Sequence, residues 1–384
     1  MTITDEALVV GAGPVGLFAA LSLAEKGVSV NVVDAEGEGA VRGHACCLHS
    51  QTLQLFDEAG LLSAVLDGAH RVDGLSVHGH GAARQTAFSG LASGYPYALT
   101  LRQSELEAVL TEALRQRGSR VSSGQAVTSL EPHDGFVRVT AAKRSVSSQE
   151  FLAHVRPLSN EPVVRDVNYV VAADGYLSEC RRLLGVDLIT VLPPKAFVIY
   201  DFLADLSGWE HEARIVSAGD SVSSFWPLGP NLGRWTFQVW LHLDETPSLD
   251  ALRLLLRQRA PWFTPNPEQV CWSAMTQFEH RIVRRFGNGR TWLAGDAAHT
   301  TSPIGFQSMN RGFCEAEALS KLVADSLYGT DHRLGQFDRL DREQQAVWEH
   351  LFGLVPSPSP APELAACLPA SGLSLRALQA RLGL

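Results

Sequence analysis

The sequence lacks several features that would settle its class at once. No two of its six cysteines, at 46, 47, 180, 271, 314 and 367, stand as C-x-x-C, so neither a zinc ribbon nor a dithiol redox motif is present. Cys46 and Cys47 are adjacent, and neighbours bridge only with strained geometry. Reduced thiols that fill space in a cytoplasmic protein are the simplest account. There is no run of Lys or Arg, and 32 basic against 41 acidic residues leave a net charge of -9, which argues against a nucleic-acid partner. Charged residues make up 19% and apolar residues 45% of the chain, the balance of a soluble globular protein. No internal repeat is visible. The one long uncharged stretch, Ala7 to Ala24, is broken by glycines and Pro14 and preceded by Asp5 and Glu6. It therefore reads as neither a membrane span nor a signal sequence. A length of 384 residues gives room for one large domain or two closely built ones.

What is present begins with that same stretch. Ala7-Leu-Val-Val is a short apolar run of the kind that a strand buried on both faces requires, and Gly11-Ala-Gly13-Pro-Val-Gly16 follows it directly. A helix fits Pro14 to Lys26, with Leu17, Leu21 and Ala24 on one stripe and Gly27 as its stop. A second strand, Val28 to Val33, then ends at Asp34. This order gives the G-x-G-x-x-G pattern its meaning as a dinucleotide site. Gly11 allows the tight turn, Gly13 lets a pyrophosphate approach the backbone, and Gly16 lets helix and strand pack closely. The free N–H groups of the helix start face the phosphates, and Asp34 is placed to accept ribose hydroxyls.

The remainder does not alternate strand and helix. Residues 71 to 98 and 187 to 285 read as short strands and turns, and the alternation of Arg234-Trp-Thr-Phe-Gln-Val-Trp-Leu suggests a half-buried antiparallel strand. A mixed sheet covering a pocket is the economical picture. Arg102 to Arg117 and Ser178 to Leu184 look helical, and apolar residues at 309, 313, 316, 319, 323 and 327 mark a long helix on the core. The run Pro356 to Pro362 forms a stiff linker before a short amphipathic helix over Leu373 to Leu382.

Three separated segments resemble one family, the flavoprotein monooxygenases built like p-hydroxybenzoate hydroxylase. The first is the glycine fingerprint. The second is Tyr169-Val-Val-Ala-Ala-Asp174-Gly175, continuing through Ser178 to Arg181; the third is Trp292-Leu-Ala-Gly295-Asp296-Ala-Ala-His299, followed by Ser302-Pro303-Ile-Gly305-Phe306-Gln-Ser308-Met309-Asn310. The resemblance implies an α/β fold in which a Rossmann-like FAD-binding domain, built on the G-x-G-x-x-G βαβ unit, is interleaved with a substrate domain of mixed and antiparallel β-sheet. Residues 1–70, 99–186 and 286–355 would form the FAD-binding domain, 71–98 and 187–285 the substrate domain, and 356–384 the Pro-rich linker and helical tail. The implied cofactor contacts are Gly11, Gly13, Gly16, Asp34, Arg42, Arg102, Gln103, Asp174, Gly175, Gly295, Asp296, Ser308, Met309 and Asn310, with Pro303 and Gly305 beside the flavin ring. Asp296, after an apolar strand, is expected as a buried carboxylate occupied by ribityl hydroxyls. The helix start at Ser308 to Asn310 is expected to stabilise negative charge on the reduced ring.

The reaction implied is reduction of FAD by NAD(P)H, addition of O2 at flavin C4a, and transfer of one oxygen from the hydroperoxide to an aromatic or polyketide-like small molecule. NAD(P)H would bind transiently, since no second nucleotide fingerprint exists. A halogenase, oxidase or reductase, or a flavin-binding protein without catalysis, stays open as an alternative. No Trp-x-Trp-x-Ile-Pro supports a halogenase, and no C-x-x-x-x-C supports a disulfide reductase. The chain departs from the family at Ser302, Phe306 and Ser308, where proline or glycine is common. His44 aligns with a family arginine that reaches the cofactor, with Arg42 two residues earlier as the provisional substitute. The segment Lys143 to Val167 looks longer than usual. Tyr200, Trp226 and Trp240 could line an aromatic pocket, although core filling is the commoner role for such residues. His78 and His80 share one side of a strand but lack a third metal ligand, so no metal is expected. His299 reads as a hydrogen-bonded structural residue.

Overall fold

The computed structural model describes residues 5–36, 45–79, 82–88, 94–143, 162–218, 221–240, 247–329 and 334–355. Arg42, His44, His80, Cys367, the Pro-rich segment and most of the long stretch after Lys143 lie outside them. Eight helices are described: α1 (Pro14–Glu25), α2 (Ser50–Glu58), α3 (Leu62–Leu66), α4 (Gln103–Gln116), α5 (Glu179–Leu183), α6 (Leu249–Arg259), α7 (Gln307–Tyr328) and α8 (Leu334–Phe352).

Strand Asp5–Val10 runs parallel to Val30–Val33 on one side and to Val163–Ala172 on the other, with Thr291–Leu293 and Val121–Ser122 continuing the parallel array outward. The predicted β-turn-α-β unit is therefore in place. Strands Val137–Lys143 and Gln125–Pro132 add an antiparallel extension to the first half of Val163–Ala172. The apolar runs have no polar face because this sheet is covered on both sides. Helix α1 is likewise buried from Gly16 to Ser22 and on to Leu23, not along a single stripe as expected. It packs against both α4 and α7, and Phe18 stacks on Phe56 of α2 at 5.3 Å while meeting the edge of Phe313 of α7 at 5.4 Å.

The second sheet has eight strands in the order 299–300, 269–283, 188–203, 232–239, 221–227, 212–218, 74–79 and 82–87. All its neighbours are antiparallel except 212–218 and 74–79. Two strands are long, not short as predicted: Leu188–Leu203 has 16 residues and Gln269–Val283 has 15. The segment 187–285 also contains α6, capped by Ser248, whose hydroxyl accepts from Ala251 N at 3.2 Å. Strand Leu232–Val239 is antiparallel but buried on both faces, which corrects the half-buried reading. Trp235 and Phe237 face Leu252 and Leu256 of α6. The intervening polar residues are buried as well, and Arg234 makes a bidentate pair with Asp201 at 2.6 and 2.8 Å.

A third sheet joins Ala45–Leu48, Ala98–Arg102 and His70–Val72. The expected domain boundaries at 70/71 and 98/99 fall within two of its strands. Cys46 and Cys47 are buried and free, in keeping with a packing role, and burial pushes the Cys46 thiol up to about 12.

Candidate functional site

The glycine fingerprint makes a tight passage from strand to helix. Gly11 has a φ of +105°, and a Cβ there would lie 2.2 Å from the Ala173 carbonyl oxygen; one on Gly16 would lie 2.0 Å from the Gly11 carbonyl oxygen. Neither position admits a side chain, so the backbone of the turn is left bare. Gly13 is the N-cap of α1, supplies no side-chain cap, and is followed by Pro14, which leaves the first-turn N–H groups without a side-chain acceptor. Asp34 closes the adjacent strand: its carboxylate accepts from Ala12 N at 2.5 Å and from Glu36 N at 2.7 Å.

Asp174 and Gly175 follow the neighbouring parallel strand. The Asp174 carboxylate accepts from Ser178 Oγ at 2.5 Å and Cys180 N at 2.9 Å, so it fixes the start of α5. Arg181 then donates to the Ala297 carbonyl at 2.9 Å and to the Tyr176 carbonyl at 2.9 Å, tying this segment to the third motif. There Gly295–Ala297 forms one 3-10 turn after strand Thr291–Leu293. Asp296 is exposed on that turn, not buried as predicted, because the apolar strand ends at Leu293 and only the alanines turn inward. Its Oδ1 accepts from Ser308 Oγ at 2.5 Å.

The loop Pro303 to Phe306 leads from this turn into α7. Phe306 is the N-cap of α7 and, among the described residues, the only non-glycine with positive φ, at 53°. Its ring meets Trp226 edge-on at 5.3 Å, and Trp226 Nε1 donates to the Ile304 carbonyl at 3.1 Å. Trp226, Phe197, Leu75, Val77, Ile215, Val222 and Ile304 form one apolar cluster, with Phe306 packed against it. Ser308 and Met309 are half-buried in the first turn of α7.

Asn310 is a clamp. Its Oδ1 accepts from His49 N at 2.8 Å and Thr52 Oγ1 at 2.7 Å, and its Nδ2 donates to the Cys47 carbonyl at 2.7 Å and the Phe306 carbonyl at 2.8 Å. The amide is thus used by the protein to fix the start of α7 against the third sheet. Gln103 opens α4 and donates to Glu107 Oε1 at 2.8 Å; Arg102 is exposed just before it.

The three fingerprint segments converge because their strands are neighbours in one sheet. A family model described as "FAD binding domain" matches residues 4–350. The chain belongs to the FAD-binding domain family. It is similar to 6-methylpretetramide 4-monooxygenase of Streptomyces rimosus, 29% identical over 335 residues that cover 84% of this chain and 56% of that protein. It is also similar to para-nitrophenol 4-monooxygenase of a Pseudomonas species (strain WBC-3), 27% identical over 340 residues, 84% of this chain and 78% of that protein. The fold is shared with p-nitrophenol 4-monooxygenase PnpA from Pseudomonas putida DLL-E4, at a TM-score of 0.77 and 22% identity over 98% of this chain and 92% of that one. The chain thus spans little more than half the length of the first of these relatives.

Two features of this FAD-binding chain escape a sequence reading. Neither ring nitrogen of buried His49 has a hydrogen-bond partner, and burial holds the imidazole down to about 3, the Gly305 backbone acting in the opposite direction. No local pattern marks it. The second is Glu315, a buried carboxylate on α7 that pairs with His299 at 2.7 Å and accepts from Trp348 Nε1 at 2.8 Å. A charged residue inside the apolar spacing of that helix is the only sequence signal for it.

Of the aromatics singled out, Trp226 touches the Pro303–Phe306 loop, Tyr200 is buried in the cluster under α6, and Trp240 is 67% exposed. Trp240 therefore does not fill the core. His78 stacks on Trp262 at 4.0 Å. Among the described residues no group of three or more His, Cys, Asp or Glu could hold a metal ion, and no helix is long and apolar enough to cross a membrane.

Proposed function

We propose that this chain is an FAD-dependent monooxygenase that uses NAD(P)H and O2 to place one oxygen atom on an aromatic or polyketide-like small molecule. The observation that carries the reading is the shared wall: the loop entering α7 is contacted through Ile304 and Phe306 by the aromatic cluster of the second sheet. The residues present suit FAD. The Gly11 and Gly16 turn packs backbone on backbone with no room for a Cβ, and the bare start of α1 suits a pyrophosphate. Asp34 keeps lone pairs for ribose hydroxyls beyond the two that its backbone donors occupy. Asp296 is an exposed acceptor for a polyol, with Gly295 beside it and Asp174–Gly175 bracing the neighbouring turn. Arg102 and Gln103, where strand Ala98–Arg102 passes into α4, keep their proposed cofactor contacts, as does Arg42, which lies outside the described residues.

When bound, FAD would supply the electron transfer from NAD(P)H and the activation of O2. The chain supplies the setting. Backbone at Pro303 and Gly305 lets the ring edge approach, and the N–H groups at Ser308, Met309 and Asn310, with the positive end of α7, favour negative charge there. The half-buried rings of Phe278 and Phe306, backed by the buried Trp226 and Phe197, offer the apolar face for a flat aromatic substrate and exclude water from the reacting side.

The test is a screen of aromatic compounds that follows NAD(P)H consumption and product mass. A product heavier by one oxygen supports the reading. NAD(P)H consumption that yields only reduced oxygen, with every aromatic substrate tried, would instead favour an oxidase.

A further inference from the structure

The aromatic face offered by Phe278 and Phe306 is bordered by a cation that the reaction as described does not use. Strand Leu188–Leu203 carries one extra residue against Gln269–Val283: Leu192 registers with His280, but Lys195 registers with Phe278. Without that extra residue Pro194 would stand opposite Phe278. The bulge re-aims the strand and gives the place to a lysine. Directly paired residues of antiparallel strands share a face, as do residues two apart on one strand. Lys195 therefore lies on the face of Phe278 and Phe197, whose rings meet edge-on at 5.7 Å. Phe278 packs, like Phe306, against the apolar cluster that contains Phe197.

A third member comes from the neighbouring strand. Val239 ends strand Leu232–Val239 opposite Ala196, so Trp240 follows beside Lys195, and the lysine ammonium stands 5.9 Å from the centroid of the indole. The row Trp240, Lys195, Phe278 thus crosses three adjacent strands. Its charge is uncompensated. The partly buried cations Lys26, Arg117 and Arg138 find acids in Glu317, Glu25 and Asp166, whereas Lys195 is half-buried and, among the described residues, no carboxylate pairs with it. Trp240, left 67% exposed, forgoes most of the burial that such a ring ordinarily gains. In a chain with a net charge of -9, a bare cation between two aromatic faces is a place for an anion carried on a flat molecule.

We propose that Lys195 and Trp240 form an outer subsite that binds a carboxylate borne by the aromatic substrate, whose ring system lies against Phe278 and Phe306. The inference rests on the monooxygenase reading and names the substrate class of that same site. The ammonium donates to the carboxylate, while the indole covers the lysine stem and one face of the ligand. Lys195 takes no part in the oxygen transfer. It is a specificity-determining residue that decides which end of a flat molecule faces outward.

The experiment is equilibrium dialysis of the FAD-loaded protein against naphthoate and against naphthamide, its neutral analogue of the same shape, at low and at high ionic strength. The wild type should bind the acid about tenfold more tightly than the amide, as one charge-assisted hydrogen bond to a half-exposed cation gives, and the preference should shrink with added salt. Lys195→Met should abolish the preference without changing the affinity for the amide, Lys195→Arg should keep it, and Trp240→Ala should weaken both ligands. Failure of naphthoate to bind, equal wild-type affinity for the two, a preference undiminished in Lys195→Met, or wild-type affinities in Trp240→Ala overturns the subsite. The underlying reading fails separately: a preference lost in Lys195→Met, in a protein that oxygenates none of the aromatic compounds tried, keeps the subsite and removes only the reaction.

Discussion

Asn310 offers the sharpest test of how the start of α7 is held. Replacing it by Asp keeps size and shape but turns the amide nitrogen, which donates to the Cys47 and Phe306 carbonyls, into a third acceptor facing two others. Two hydrogen bonds are lost and a charge is placed where the wild-type side chain is 5% exposed. At about 1 kcal/mol for each neutral bond and 1–3 kcal/mol for each of the two carbonyls left unsatisfied, the cost is about 4–8 kcal/mol. Asn310→Ala removes all four bonds, including those from His49 N and Thr52 Oγ1, and should cost more than the loss of two, although it adds no charge. A large cost for the isosteric change is the diagnostic. Urea unfolding of both variants, followed by tryptophan fluorescence, measures it. The Asp variant should also recover part of its loss in acid, where a protonated carboxyl donates one hydrogen. If Asn310→Asp costs less than about 1 kcal/mol, the amide does not clamp the strand and loop as described.

Further outcomes follow from the same geometry. Because Phe306 stands at φ 53°, where a residue with a Cβ costs about 1–2 kcal/mol more than glycine, Phe306→Gly should melt higher than Phe306→Ala, although both lose the Trp226 contact. A lower melting temperature for the glycine variant would refute this. His49 has its imidazole held down to about 3 by burial, so on acidification the unfolded chain takes up a proton that the folded one refuses. Stability should drop by roughly 1 kcal/mol per pH unit below about 6. His49→Leu should remove that slope in acid unfolding curves; an unchanged slope would assign it to other groups. Thiol labelling of the native protein at pH 8 should reach exposed Cys271 and spare Cys46, Cys47 and Cys180, which are buried and whose thiolates burial disfavours. Fast labelling of either member of the Cys46–Cys47 pair would contradict the packing role.

The parts of this molecule that were legible in the sequence are those whose chemistry is local. Gly11 and Gly16 announce themselves because the turn they form excludes every other residue, and α7 shows its 3.6-residue apolar spacing over its whole length. The second sheet was harder to read. Pro193 and Pro194 look like a break, yet strand Leu188–Leu203 passes through them where its register against Gln269–Val283 shifts between Leu192 and Lys195, a bulge that tolerates proline. Polar alternation along Leu232–Val239 suggested a wet face. In the fold those residues are buried, Arg234 against Asp201, and an ion pair across two strands leaves no trace in either strand alone. The buried pairing of Glu315 is illegible for the same reason, since Glu315, His299 and Trp348 come from three separate elements.

The central strand of the cofactor sheet imposes a schedule on synthesis. Asp5–Val10 is made first, but Asp5 registers with Val167 and the Val163–Ala172 strand registers in turn with Thr291–Leu293. At ribosomal speeds of about 5–20 residues per second, Val30–Val33 is available within a few seconds, but the strand on the other side of the phosphate-cradling turn follows only on the order of ten seconds later, and the next later still. Throughout that interval the nascent chain carries an apolar β-α-β unit with an open edge, so this region is where co-translational protection by a chaperone would have its greatest effect.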